Sequence, residues 1–314
     1  MTIQCRQFLI TCLIVLGTQC LNVAMAAEND AQRFASPEDA VAALIEAARQ
    51  DGNDKIAVVF GSGYQDLFSS GDEVEDKNNR AEFLKLTEKW AVEKDGSDKA
   101  NLQFGPDGWV FPVPLIKTGE QWQFDAEQGK AEILNRRIGR NELNALAVMK
   151  AYVEAQVEYA HGDHDGDEVA EYATKLSSEP GKFDGLYWDE QEGHGKSPLG
   201  PLVAQAKAEG YKPKSGSGTS IPYHGYYYKI LTRQGSNAPG GKYDYIINGN
   251  MIAGFGLLAF PAEYGSSGIM TFVVNHQGKI YQKNLGEKTA ELAQTMKSYD
   301  PDATWEPVEA EPRD

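Results

Sequence analysis

The stretch Asn135-Arg136-Arg137-Ile138-Gly139-Arg140-Asn141-Glu142, read together with the residues from there to Tyr159, decides the fold. Past the arginines, Leu143, Leu146, Met149, Val153 and Val157 return every three or four residues. An α-helix turns once in about 3.6 residues, so this spacing gathers the apolar side chains into one stripe and predicts the longest helix of the chain. Everything else divides around it.

Upstream, Ser36-Pro37-Glu38-Asp39 combines a capping hydroxyl, a proline at the first helical position and acids in the first turn. With apolar Ala40, Val41, Leu44, Ile45 and Ala48 behind it, this predicts an amphipathic helix. A second helix is predicted over 79–93 from Phe83, Leu84, Leu86 and Trp90. Strand-like runs come next at 100–104 and 109–115, and 119–124 alternates apolar and polar after a turn residue. Helices first and an antiparallel sheet second is an α+β order. Residues 27–135 resemble the nuclear transport factor 2-like fold, whose late strands carry a Trp-x-aromatic pair, here Trp122-Gln123-Phe124. That resemblance implies a sheet curled into a cone.

Downstream, 160–220 is rich in Gly, Pro, Asp and Ser and reads as loop with a short helix over 199–209. Strands are then expected at 225–232, 243–248, 251–260, 268–275 and 279–283. The step Asn275-His276-Gln277-Gly278 supplies a hairpin turn between the last two. A short helix over 289–298 leads into an acidic tail, 301–314, whose proline-containing part after Trp305 is expected to be disordered. The chain of 314 residues thus divides into a domain over 27–135 and another over 136–300.

The first residues read as a secretory signal over 1–26. Arg6 precedes an apolar run at 8–16, and Ala24-Met25-Ala26-Ala27 offers a small-residue cleavage site. Gly17, Thr18, Gln19 and Asn22 cut the run short of the ~18 apolar residues of a membrane anchor. A periplasmic or secreted protein without stable membrane insertion is expected. Cys5, Cys12 and Cys20 all precede the cleavage point, so the mature chain would lack disulfides, thiolate nucleophiles and cysteine-bound zinc. Gln19 places a bulky polar side chain where lipoprotein signals favour a small one, against lipidation at Cys20. A formal charge of −16 disfavours nucleic acid and anionic membranes as partners.

Four stretches carry a family likeness: 135–142, Asp184-Gly185-Leu186-Tyr187-Trp188, Pro222-Tyr223-His224-Gly225-Tyr226-Tyr227-Tyr228, and Pro261-Ala262-Glu263-Tyr264-Gly265. They resemble the bacterial exported family catalogued as domain of unknown function 2950, over nearly the whole mature chain. The resemblance implies an exported context and no particular activity. In its order of elements, the helix through 151–159 succeeded by the strands at 225–230, 268–275 and 278–280 is similar to the globular part of type IV pilins and pseudopilins. That implies a pilin-like domain with a helix laid on an antiparallel sheet. The apolar N-terminal helix half and cleavage motif of pilins are absent here, so filament assembly is not implied.

Asp163-His164-Asp165-Gly166-Asp167 sets carboxylates at alternate positions, as calcium loops do when several hard oxygens must converge. Asp163, Asp165, Asp167 and Glu171 form the candidate ligand set for calcium. An EF-hand would need glycine at Glu168 and an acid at Thr174, and a solvated acidic loop is the alternative. Tyr223, His224 and Tyr226 to Tyr228 read either as an aromatic platform for a sugar or peptide or as ordinary sheet packing, with Tyr226, Tyr228 and Ile230 on one face. Arg136, Arg137 and Arg140 suit either an anion or carboxylates across the domain junction. Asp184 with Glu190 or Glu192 offers the paired acids of glycoside hydrolysis or a surface loop.

The chain contains no Gly-x-Ser-x-Gly elbow, His-Glu-x-x-His, Walker loop or dinucleotide fingerprint, and its five histidines are scattered. These features predict a non-catalytic exported cell-envelope protein, an interaction scaffold with an envelope protein as partner. The rival expectation is an envelope hydrolase or carbohydrate-binding protein using the carboxylates and tyrosines between Asp184 and Tyr228. Convergence of those residues in one deep pocket would favour the rival.

Overall fold

The computed structural model describes residues 30–50, 54–64, 67–164, 166–190, 195–212 and 221–309. The signal segment with its three cysteines, Asp165, Glu192 and residues 310–314 lie outside these.

Ser36 opens helix α1 (Pro37–Arg49), its hydroxyl accepting the Asp39 amide at 3.1 Å. Helix α2 (Asp54–Phe60) comes next, and α3 (Glu73–Leu86) starts at Asp72, whose carboxylate caps the amides of Val74 and Glu75. The helix expected over 79–93 therefore begins and ends earlier. The Gly105 amide bonds Leu86 O at 3.0 Å and Lys89 O at 2.8 Å, which draws the chain into a sheet. Trp90 then opens a strand opposite Phe104.

That sheet holds β1 (Trp90–Asp95), β2 (Lys99–Phe104), β3 (Trp109–Val110), β4 (Leu115–Thr118) and β5 (Gln121–Phe124), all antiparallel. Its order is β1-β2-β4-β5, with β3 beside β2. Pro112 and Pro114 divide the run expected as one strand over 109–115, because neither offers an N–H to a ladder. One half of β2 consequently pairs with β4 and the other half with β3. The sheet stays open, ending on a largely exposed β1, and is neither closed nor curled. This overturns the nuclear transport factor 2-like cone; the fold is α+β without it. Phe34, Leu44, Phe60, Leu102, Phe104 and Phe124 fill the first core, beneath α1 and α2.

Asp125 caps α4 (Ala126–Tyr159), a single helix of 34 residues that starts well before the arginines. Its first turns escape the apolar periodicity because close packing there is made by a glycine. A Cβ at Gly129 would lie 2.5 Å from Val113 Cγ2. The boundary expected at 135/136 falls inside this helix. Ala126 and Ile133 belong to the first core, while Ala145, Met149, Tyr152, Ala155 and Tyr159 belong to a second. The two cores share this helix.

Beyond α5 (Gly200–Glu209) come β6 (Tyr226–Leu231), β7 (Arg233–Gln234), β8 (Tyr243–Asp244), β9 (Ile246–Ile247) and β10 (Asn250–Met251). The chain continues through β11 (Gly256–Pro261), β12 (Met270–Asn275), β13 (Tyr281–Asn284), α6 (Thr289–Thr295) and β14 (Glu306–Pro307). The main sheet runs β14-β13-β12-β11-β6. Its period-two alternation sends Tyr226, Leu257, Ala259, Phe272 and Val274 into the core under α4. Leu231, Leu258, Phe260 and Val273 go to the other face, with Ala293 of α6 and Tyr299. The start of the tail is ordered rather than disordered, since β14 pairs with β13 and the Val308 amide reaches Ile280 O at 3.0 Å.

Gln156 ties the loop after α4 back to the helix. Fully buried, its Nε2 donates to Ala173 O and Tyr152 Oη, while its Oε1 accepts the Ala173 amide at 2.8 Å. The side-chain amide thus serves Ala173 as a neighbouring strand would. Gln156→Leu leaves that peptide unpaired in a dry core and is expected to lower the unfolding free energy in urea by roughly 2–4 kcal/mol.

Candidate functional site

Three of the four sequence stretches that carry the family likeness converge where the two cores meet. From α4, Arg137 is buried and donates to Leu67 O and Ser69 O, each at 2.8 Å. Arg140, one turn on, donates to Glu75 Oε1 at 3.2 Å. Asn141 reaches Ser267 O at 3.0 Å, and Glu142 Oε1 accepts the amides of Ile269 and Met270. Arg136 faces away, bonding Glu132 and Val110 O. The arginines are therefore committed within the protein, Arg140 to a carboxylate as one of the two expected alternatives had it, Arg137 to backbone carbonyls and Arg136 to one of each.

Asp72 is the hub opposite them. Besides capping α3, its Oδ2 accepts the Tyr211 hydroxyl at 2.7 Å and lies 3.4 Å from the Gly225 amide. Tyr223 and Tyr226 exchange backbone hydrogen bonds across His224-Gly225, and both central residues have positive φ, +49° and +71°. That is the two-residue turn a right-twisted hairpin prefers, usually made with Asn-Gly. A histidine in this conformation costs about 1 kcal/mol or more, and the contacts of the turn to Asp72 and Tyr211 hold it. Glycine at 225 is required twice over, since a Cβ there would also sit 2.5 Å from Asn141 Nδ2.

His224 Nε2 lies 3.3 Å from Glu209 Oε2. Burial depresses the imidazole below its ordinary value, outweighing Glu209 and Asp72, which pull it up. The Glu75 carboxyl is raised, chiefly by burial, with Asp72 and Asp76 adding to it and Arg140 opposing. A raised carboxyl and a depressed imidazole are perturbations that acid–base catalysts also show. However, Glu75 Oε2 is sealed from solvent and without a hydrogen-bond partner, so no substrate atom reaches it. The role of Glu75 here is structural, as the partner of Arg140.

The other predicted sites lie apart. Asp184 binds Lys175 Nζ at 2.6 Å and the Glu179 amide at 3.0 Å. Burial works to raise its carboxyl, and those two bonds outweigh it, leaving a net depression. Glu190 is exposed, and Glu192 lies outside the described residues. Tyr226 and Tyr228 pack under α4 and Tyr227 on the opposite face, so the tyrosines make sheet core and no platform. In the acidic loop, Asp163 accepts the Gly166 and Glu168 amides, and Asp167 accepts the Val169 amide and the Asn250 side chain. Glu171 accepts the Met251 amide at 2.8 Å, and Asp165 lies outside the described residues. Among the described residues no group of three or more potential metal ligands converges. Sequence reasoning missed Asp72, Glu75, Glu209 and Tyr211; the only local signal was the Asp72 cap ahead of acidic Glu73 and Glu75.

Fold and junction together define an α+β protein of two cores, threaded on one helix and locked by a buried polar network. The chain belongs to the family described as "Protein of unknown function (DUF2950)", whose model matches residues 31–308. No curated protein and no solved structure matches it, so the similarity to pilins in element order has no matching structure behind it. Among the described residues, no helix is long and apolar enough to cross a membrane.

Gly225→Ala is expected to cost roughly 2–4 kcal/mol in chemical denaturation, through the positive φ and the collision with Asn141. A second outcome concerns pH. Because His224 is depressed from its ordinary 6.5, the unfolded chain takes up its proton first, and stability is lost as pH falls through and below that value. Glu75 acts oppositely, since the folded state binds its proton first as pH falls through its raised value. Asn tolerates the turn's backbone and does not titrate, so His224→Asn is expected to keep the Tm at neutral pH and flatten the slope between pH 7 and about 5. His276, also depressed by burial, retains part of that slope.

Proposed function

We propose that this chain is an exported, non-catalytic cell-envelope protein, periplasmic or secreted, that acts as an interaction scaffold with an envelope protein as partner. The observation that carries the reading is dispersal. Of the carboxylates and tyrosines between Asp184 and Tyr228, Asp184 goes to an ion pair, Tyr226 and Tyr228 to a sheet interior and Glu209 to the core junction, while Tyr187, Asp189 and Glu190 line a separate groove, so they do not all meet in one deep pocket. Of the acid–base groups at the junction, Glu75 Oε2 is sealed, and His224 and Glu209 are held against each other at 3.3 Å. Exposed apolar side chains on the β9–β10 hairpin and just beyond it, Ile246, Ile247 and Ile252, fit a protein that meets a partner.

The test joins location to contact. Mass spectrometry of the protein from the cell envelope is expected to find a mature chain beginning at Ala27. A photo-crosslinking side chain at Ile247 in intact cells is expected to give a discrete heavier species that the same group at exposed Glu46 does not. Turnover of chromogenic glycosides, esters or peptides by the purified chain, lost in Glu75→Gln, would sink the non-catalytic reading.

A further inference from the structure

The first sheet has one covered edge and one open edge. At β5, Phe34 and Trp122 exchange backbone hydrogen bonds at 2.8 Å, so that side is closed. At the other side, among the described residues, β1 pairs only with β2. The ladder runs in unbroken register from Trp90 opposite Phe104 to Asp95 opposite Lys99, and five of the six residues of β1 are exposed. Backbone N–H and C=O groups of alternate residues therefore face outward along β1, where a further strand can bond them. Proteins blunt such edges with a proline, a bulge or charge, and β1 has neither proline nor bulge. Its charges, Glu93, Lys94 and Asp95, are the remaining device, and they select which strand fits.

A two-fold axis, the commonest symmetry of homodimers, lays a strand antiparallel against its own copy. Because the free backbone groups come from alternate residues, residues that face each other must be an even number of positions apart, and the axis passes through a residue. Two such axes overlap five residues of β1. One through Glu93 sets that carboxylate directly against its copy, which is destabilising. One through Val92 sets Val92 on Val92, Ala91 opposite Glu93 and Trp90 opposite Lys94, with Lys89 opposite Asp95 just beyond. Trp90 and Val92 lie across β2's Phe104 and Leu102, both fully buried, so they form the margin of the first core, and Trp90 is left 40% exposed. The copy would cover that indole with a lysine stem and ammonium, a pairing the ring face favours. Residues 89–99 carry three lysines against Glu93, Asp95 and Asp98, so this edge is neutral in a chain whose net charge is −16. Repulsion between two acidic chains is weakest here.

We propose that the chain pairs with a second copy of itself through β1, antiparallel about Val92, so that the two open sheets become one. This goes beyond the scaffold reading and does not depend on it. One strand pair buries less than the ~1,200–2,000 Å² of a stable interface, so sedimentation equilibrium of the mature chain is expected to show a reversible dimer with a Kd of about 10–100 μM. Lys89→Asp and Asp95→Lys each turn an opposite-charge pair into a like-charge pair, twice over by symmetry, and each should weaken the dimer about tenfold. The double variant exchanges the two charges and should restore the parent's Kd. Both side chains are exposed, so the Tm of every variant, measured well below the Kd, should equal the parent's and separate a lost contact from a lost fold. A parent that stays monomeric to about 500 μM overturns the proposal. So does a dimer that the single variants leave intact or that the double variant fails to restore. A monomeric parent that yields a discrete heavier species in cells from a photo-crosslinking side chain at Ala91 gives the edge to a strand of another protein, and it likewise overturns the dimer.

Discussion

A guanidinium buried without a carboxylate in hydrogen-bond contact is the constraint on which the rest of this structure depends. Arg137 has lost its water, and burial works against its charge, with Asp76, Glu75 and Glu263 opposing from nearby. Its hydrogen bonds go to Leu67 O and Ser69 O, so the chain around 67–70 must bend to present two carbonyls to α4. That bend delivers Asp72 to the head of α3. Asp72 in turn holds Tyr211 and the His224-Gly225 turn from which β6 sets out. One charge in mid-helix thus registers the first core against the sheet of the second.

The same enclosure explains why polar groups at the junction are perturbed as catalytic groups are. Glu75 and His224 are perturbed in the directions acids and bases are, yet the chief cause is burial between two cores, and at Glu75 that burial also seals one carboxylate oxygen from solvent. Perturbed groups mark a functional site only when a cleft presents them.

Where the backbone makes its own partners, the sequence was legible. Ser36 caps α1, Gly200–Glu209 forms α5 almost to the residue, and the alternation through 226–231, 256–261 and 270–275 sorts side chains to the two faces of the sheet. The turn at 275–278 closes with the Gly278 amide on Asn275 O. Each of these rests on spacings of two to four residues. The failures share one cause as well. Trp90 looked helical because Phe83, Leu84 and Leu86 precede it at helical spacing, and pairing with Phe104 decides otherwise. The first turns of α4 were hidden because Gly129 packs by absence of a side chain.

By itself, the sequence determined the helix caps, the stripe on α4, the strand faces, the acidity, and a likeness to a family now matched over 31–308. Tertiary structure alone decided that α4 unites two cores, that the first sheet stays open, and that Asp72 finds Tyr211 and Gly225. The physical reason is range. Capping and periodicity act within one or two turns of chain, whereas the Gly225 amide meets Asp72 across 153 residues, a pairing chosen by the burial of everything around it.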